Sequence, residues 1–83
     1  MFVRDYASCE EFIAGDETRL RELFNPLKDP LELRYSFAIA VVDPGQTTAL
    51  HRLVNSEVYF ILEGDGEMEV NDERERVASG QAV

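Results

Sequence analysis

The sequence predicts an all-β fold in one small domain. From residue 43 onward, turn-forming residues recur every seven to eleven positions, a spacing that favours short strands over helices. The segments between these turns alternate in side-chain size or polarity with a period of two, which is the repeat of a β-strand. A length of 83 residues allows one domain, residues 1–83, with a thin hydrophobic core.

The first third of the chain has the least regular pattern. We expect residues 1–17 to form an N-terminal arm, in which Ser8 and Glu11 fit a capping box that opens a short helix. Residues 18–24 fit either a strand or a two-turn helix, because three apolar residues have helical spacing: Leu20, Leu23 and Phe24. The pattern alone leaves both structures open.

The strands are better defined in residues 33–83. Residues 35–42 alternate large and small side chains and end at an Asp-Pro-Gly turn, which predicts a strand. Residues 57–62 are apolar on both faces, so we expect a central strand that is covered on both sides. Residues 67–70 and 73–77 predict a hairpin with its glutamates facing solvent.

Composition excludes several classes of function. Seventeen Asp and Glu against eight Lys and Arg give a net charge of −9, which opposes binding to nucleic acid or to an anionic membrane. Cys9 is the single cysteine, so no intrachain disulfide can form. The apolar runs are too short to span a membrane, and the N-terminus does not read as a signal peptide. We therefore expect a cytoplasmic protein without nucleic-acid or membrane partners.

One spaced motif surrounds the only histidine, His51. Gly45, His51, Glu57 and Gly64 match the first motif of the cupin superfamily, G-x5-H-x-H-x3 or 4-E-x6-G, at four fixed positions. The place of the second motif histidine holds Leu53. The sequence therefore resembles a small single-domain cupin, and the resemblance covers roughly residues 33–83.

The resemblance implies an antiparallel jelly-roll barrel, and it favours a strand over a helix for residues 18–24. Gly80 would open the second cupin motif, and the sequence stops three residues later. We therefore expect a barrel that is shortened at its C-terminus. Its uncovered apolar face would be completed by further chain or by a second copy in a homodimer.

The resemblance also implies a metal site. It identifies His51 and Glu57 as two ligands of a divalent transition metal, and an imidazole with a carboxylate suits Fe, Mn, Ni, Zn or Cu. Tyr35, Arg52 and Tyr59 are the candidate substrate-binding residues. Structural alternatives stay open: His51 as a hydrogen-bonded surface residue, Glu57 paired with Arg52 or Arg34, and three aromatic residues in the core, Tyr35, Phe37 and Phe60.

Three functions follow from these features. The first is a small cupin-like protein that uses a metal inside the barrel to bind or act on a small polar molecule. The second is a dimeric cupin that binds without metal or catalysis, and Leu53 favours it because a catalytic metal usually needs three protein ligands. The third is an interaction module that pairs through open edge strands. Whether the protein is an enzyme stays open.

Overall fold

The computed structural model describes residues 1–83 and divides the chain into two units, Met1–His51 and Arg52–Val83. Almost all regular structure is antiparallel β, which confirms the predicted all-β class. The first unit holds a 3-10 turn and three strands, Tyr6–Ser8, β1 (Phe12–Ile13), β2 (Arg19–Phe24) and β3 (Phe37–Val41). The second unit holds a hairpin of two strands, β4 (Asp65–Val70) and β5 (Glu73–Ala78). Neither sheet closes into a barrel, and the one helical turn is far too short to cross a membrane.

Strand β2 lies at the centre of the first sheet, between β1 and β3. A bulge at Leu23 shifts its register against β3, so that Glu22 pairs with Ala38 and Phe24 pairs with Phe37. Leu23 is the one buried apolar side chain of the chain, at 9% exposure. Residues 18–24 therefore form a strand, because pairing along both edges of β2 outweighs the helical spacing of its leucines.

Residues 14–18 join β1 to β2. The Glu17 amide donates to the Ala14 carbonyl at 2.9 Å, and the Ala14 amide donates to the Thr18 carbonyl at 2.9 Å. Glu17 has a φ of +73°, so it takes the left-handed position that closes such loops. The expected capping-box helix at Ser8 is wrong, because the chain after the 3-10 turn is extended and pairs with β2.

The guanidinium of Arg19 connects segments that adjoin the two edge strands of this sheet. Arg19, at the start of β2, contacts Asp43 beyond β3 at 2.7 Å and Glu11 before β1 at 3.2 Å. These hydrogen bonds with Asp43 and Glu11 raise the pKa of Arg19 above its ordinary value. Arg19 is therefore charged at any physiological pH, and it holds segments on both sides of β2.

The second unit is built on the β4–β5 hairpin. Its two turn residues have positive φ, +49° for Asn71 and +68° for Asp72, which is the conformation of a type I′ turn. Met68 is half-buried, whereas Glu67 and Glu69 are exposed, as the alternation predicts. The predicted hairpin is thus confirmed, together with its turn.

The apolar segment 57–62 does not form the central strand that the sequence predicts. It makes one bridge, between Phe60 and Ala82, and Tyr59 exchanges backbone hydrogen bonds with Val83 at 2.8 and 2.9 Å. Within this chain the segment pairs along one edge, and Val58 and Leu62 are exposed, so the expectation of a central strand covered on both faces is wrong. Phe60 is 60% exposed, and the other two aromatic residues assigned to the core are also exposed, Tyr35 and Phe37.

Candidate functional site

The motif histidine lies at the end of the first unit, on a loop that is fixed to the β1–β2 turn. The Ala49 amide donates to the Asp16 carbonyl at 2.8 Å, which anchors the loop two residues before His51. His51 Nδ1 lies 3.1 Å from the Ala49 carbonyl oxygen. Because a carbonyl only accepts, this contact needs a proton on Nδ1, and in the neutral ring Nε2 then carries the lone pair.

An acidic group stands near this loop. Burial of Asp16 acts to raise its pKa, but hydrogen bonds from Thr18, together with electrostatic attraction to the nearby His51, lower the pKa below its ordinary value. The Thr18 hydroxyl and amide donate to the Asp16 carboxylate at 2.7 and 3.1 Å. Thr18 is 4% exposed, so this part of the network is shielded from water. Sequence reasoning missed Asp16, although the Gly15–Asp16 turn marks a carboxylate that accepts local backbone hydrogen bonds.

The other candidate residues are spread over both units. Tyr35 lies exposed before β3 in the first unit, whereas three others belong to the second unit, Arg52, Glu57 and Tyr59. Tyr59 is half-buried, and Glu57 and Arg52 are exposed. The boundary between the units thus falls between His51 and Glu57, and their expected pairing at a metal stays a prediction.

The residues of this chain do not by themselves fit a transition-metal site. Nowhere do three His, Cys, Asp or Glu side chains come together in an arrangement that could hold a metal ion. The position of the second motif histidine is filled by Leu53, which is 54% exposed and offers no ligand atom. Since a catalytic metal usually has three protein ligands, a site on His51 and Glu57 needs a third group.

The backbone of the motif follows a consistent pattern. Three of the five glycines have positive φ, +78° for Gly45, +84° for Gly64 and +88° for Gly80. Gly45 and Gly64 are the glycines of the first cupin motif, and Gly80 is the residue that would open the second. Gly15 and Gly66, which the motifs do not include, lack positive φ. The motif positions are therefore those at which a side chain would be strained.

A cleft of about 280 Å³ lies beside the first part of the motif, within the first unit. The motif loop contributes three neutral polar residues to its wall, Gln46, Thr47 and Thr48, and Ile13 and Val41 add apolar surface. Sequence reasoning did not select these three residues, although they form a polar run between Gly45 and His51. They offer hydrogen-bond donors and acceptors without a net charge.

A second cleft, of about 370 Å³, lies between the N-terminal arm and the β2 end of the same unit. Four of its five charged groups form two ion pairs: Arg4 contacts Asp29 at 2.9 Å, and Lys28 contacts Glu22 at 2.8 Å. The hydrogen bond from Lys28 is the main cause of the lowered pKa of Glu22. These pairs stabilise the connection after β2, and we assign no ligand to this cleft.

Comparison with known proteins identifies one archaeal relative. The chain is 34% identical over 80 residues to an uncharacterized protein of Methanocaldococcus jannaschii, an alignment that covers 95% of this chain. The chain spans 63% of the length of that protein. No protein-family model matches the chain, and no solved structure matches it significantly. The cupin resemblance therefore depends on the sequence motif alone.

Proposed function

We propose that the chain is a cupin-like β module, part of a jelly-roll barrel, that binds a small polar molecule without requiring a metal. One observation carries this proposal: the glycines with positive φ are the ones that the cupin motifs select, and the remaining two glycines lack it. A chance match of sequence letters does not require this agreement. The turns at residues 45, 64 and 80 then correspond to the turns of the motif.

The cleft beside the motif loop is the binding site in this proposal. Its volume of about 280 Å³ lies just below the range of about 300–1,000 Å³ that is typical of ligand pockets, so it has room only for a very small molecule. Gln46, Thr47 and Thr48 supply neutral hydrogen-bonding groups. Arg19 lies in the same wall, but its guanidinium forms ion pairs with Asp43 and Glu11. A ligand that donates and accepts hydrogen bonds through hydroxyl or amide groups fits this wall better than an anion does.

The experiment is a screen of small hydroxyl-, amide- and carboxylate-bearing fragments against the ¹⁵N-labelled chain, in the presence of EDTA. We expect hydroxyl and amide fragments to shift the backbone amides of residues 46–48. The matched control is the double substitution Thr47→Val and Thr48→Val, which keeps side-chain size and removes the hydroxyls. Fragment shifts that fall elsewhere, or that survive this substitution unchanged, would refute the assignment of the cleft.

A metal-binding function is the second candidate, and the Nδ1 contact of His51 favours it. Metal-ligating histidines usually donate their second ring N–H to a carbonyl or carboxylate, as Nδ1 does here to Ala49 at 3.1 Å. When bound, a divalent metal would supply a Lewis acid that polarises a substrate oxygen. His51 and Glu57 would be its ligands in this chain, together with a third ligand that the chain does not supply.

The substitution Leu53→His tests the cupin arrangement that both candidates share, because it restores the missing motif ligand. If residues 51, 53 and 57 form a ligand set, Leu53→His should bind Ni²⁺ or Zn²⁺ at least about tenfold more tightly than the native chain. Leu50→His is the control: it adds an imidazole next to His51, but neighbouring residues of an extended chain point to opposite faces. Equal gains in the two variants would contradict the cupin arrangement.

The native chain decides between metal-dependent and metal-free binding. A metal that copurifies at full occupancy and is lost in both His51→Ala and Glu57→Ala would establish the second candidate. A substoichiometric metal content that is unchanged in His51→Ala would exclude it. Elemental analysis after purification without chelator gives this readout.

A further inference from the structure

Strand β3 is an open edge of the first sheet, and it lacks the usual protection of an edge. Residues 35–42 contain no charge, no proline and no glycine, although the chain carries 17 acidic and 8 basic residues. Phe37 is 50% exposed and Val42 is 48% exposed. Edge strands are normally protected by charges, prolines or bulges, because their unpaired backbone groups can pair with another chain.

The edge strands of the second unit are charged. In a symmetric dimer these charges would face charges of the same sign, which disfavours pairing. When a strand pairs with its own copy about a two-fold axis, the axis is perpendicular to the sheet and each residue stays on its own face. Facing residues must share a face, so their numbers differ by zero or an even number. In β5, Glu73 then faces Glu73 or Glu75, and Arg74 faces Arg74 or Arg76. Like charges directly opposite destabilise a pair, so β5 resists self-pairing.

The same rule applies to β4, where Glu67 would face itself or Glu69. Strand β1 has two residues, Phe12 and Ile13, which are too few for a stable pairing. Among the edge strands that are long enough to pair, β3 is therefore the one on which a second copy meets no charge of the same sign.

We propose that β3 pairs antiparallel with β3 of a second copy, about a two-fold axis at Ile39. This register pairs all five residues of the strand: Phe37 faces Val41, Ala38 faces Ala40, and Ile39 faces Ile39 of the other copy. The large side chains of both copies then lie on one face of the sheet and the alanines lie on the other. Each side chain therefore faces one of similar size across the interface. The two three-stranded sheets become one six-stranded sheet.

A second copy fits this edge better than a partner recognised through charge. A basic partner of a chain with net charge −9 would be attracted to its carboxylates, and residues 35–42 have none. An uncharged strand selects its partner by backbone pairing and side-chain size, and an identical strand supplies both. This inference does not depend on the cupin-like binding function, since it uses only the first sheet.

Two matched double variants test the register by sedimentation equilibrium of the full chain. Ala38→Lys with Ala40→Lys places lysine opposite lysine twice, whereas Ala38→Lys with Ala40→Glu places opposite charges there twice. Both alanines are exposed, so the substitutions do not fill a core. We expect the first variant to dissociate and the second to remain dimeric, with dissociation constants that differ by at least about tenfold. Val70→Lys on the β4 edge should leave the dimer intact.

Amide exchange gives an independent readout without substitution. In the native chain, those amides of residues 37–41 that point away from β2 should become more protected as the concentration rises through the dimer range. A native chain that stays monomeric, as it would if another part of the same chain covered β3, would overturn the proposal. So would a dimer that the two double variants affect equally.

Discussion

Replacing Gly64 by alanine tests whether the motif glycines are required by the backbone. A Cβ at Gly64 would meet no atom within 4 Å, so the cost of the substitution arises from the backbone alone. At its φ of +84°, an alanine costs about 1–2 kcal/mol. Alanine also restricts the unfolded chain, which returns about 0.4–1 kcal/mol. The net destabilisation expected for Gly64→Ala is therefore about 0–1.6 kcal/mol, with the middle of that range at about 0.8 kcal/mol.

Gly66→Ala is the matched control, two residues away in β4. Gly66 also has open space around its Cβ position, but it lacks a positive φ. Only the unfolded-state effect applies there, so this variant should be more stable than the native chain by about 0.4–1 kcal/mol. The two free energies of unfolding should be compared by urea denaturation, followed by far-UV circular dichroism. Equal stabilities for the two variants would refute the reasoning that selects the motif glycines.

Three further substitutions in the first unit have defined outcomes in the same urea assay. Glu17→Gly should stabilise the chain by up to about 1.6 kcal/mol, because it relieves a positive φ and the greater freedom of the unfolded chain offsets only part of that gain; a loss of stability would contradict this. Leu23→Ala should destabilise by about 2 kcal/mol, the low end for a buried leucine in so thin a core. Because the folded-state pKa of Asp16 is lowered, its stabilisation is present above the unfolded pKa, near 4, and is lost as the pH falls through the folded value. Asp16→Asn should therefore flatten the acid side of a stability profile measured from pH 2 to 7, and an unchanged profile would contradict the role of Thr18.

Local patterns predicted the β4–β5 hairpin and strand β3, because a period of two and a turn pair act within a few residues. The same kind of pattern wrongly predicted a central strand at residues 57–62, and it did not predict β1. Asn71–Asp72 with flanking alternation is sufficient to define β4 and β5. The strand assignment of residues 18–24 needed the cupin resemblance. Pairing with β1 and β3 determines this structure, and local sequence patterns do not reveal which distant strands will pair with a segment. The prediction that Tyr35 and Phe60 are buried was wrong for the same reason. The sequence identifies a side chain as hydrophobic, but it does not identify the residues that would cover it.

The candidate site was predictable only in part. Spacing identified His51 and the motif glycines, and Gly45 and Gly64 have positive φ. Asp16 could not be found from the motif, because 35 positions separate it from His51 and only the fold brings the loop to the β1–β2 turn. The polar wall of Gln46, Thr47 and Thr48 was likewise hidden, since neutral polar residues are common in loops that bind nothing.

The contacts of Arg19 have a consequence for strand alignment. Each ion pair is solvent-exposed, so neither adds much stability. Their effect is geometric: moving β3 by one residue along β2 would displace Asp43 by about 3.3 Å and break a contact of 2.7 Å. A slip of β1 would break the contact with Glu11 in the same way. A single planar side chain thus penalises misalignment of both neighbouring strands, in a sheet whose few buried residues could not do so alone.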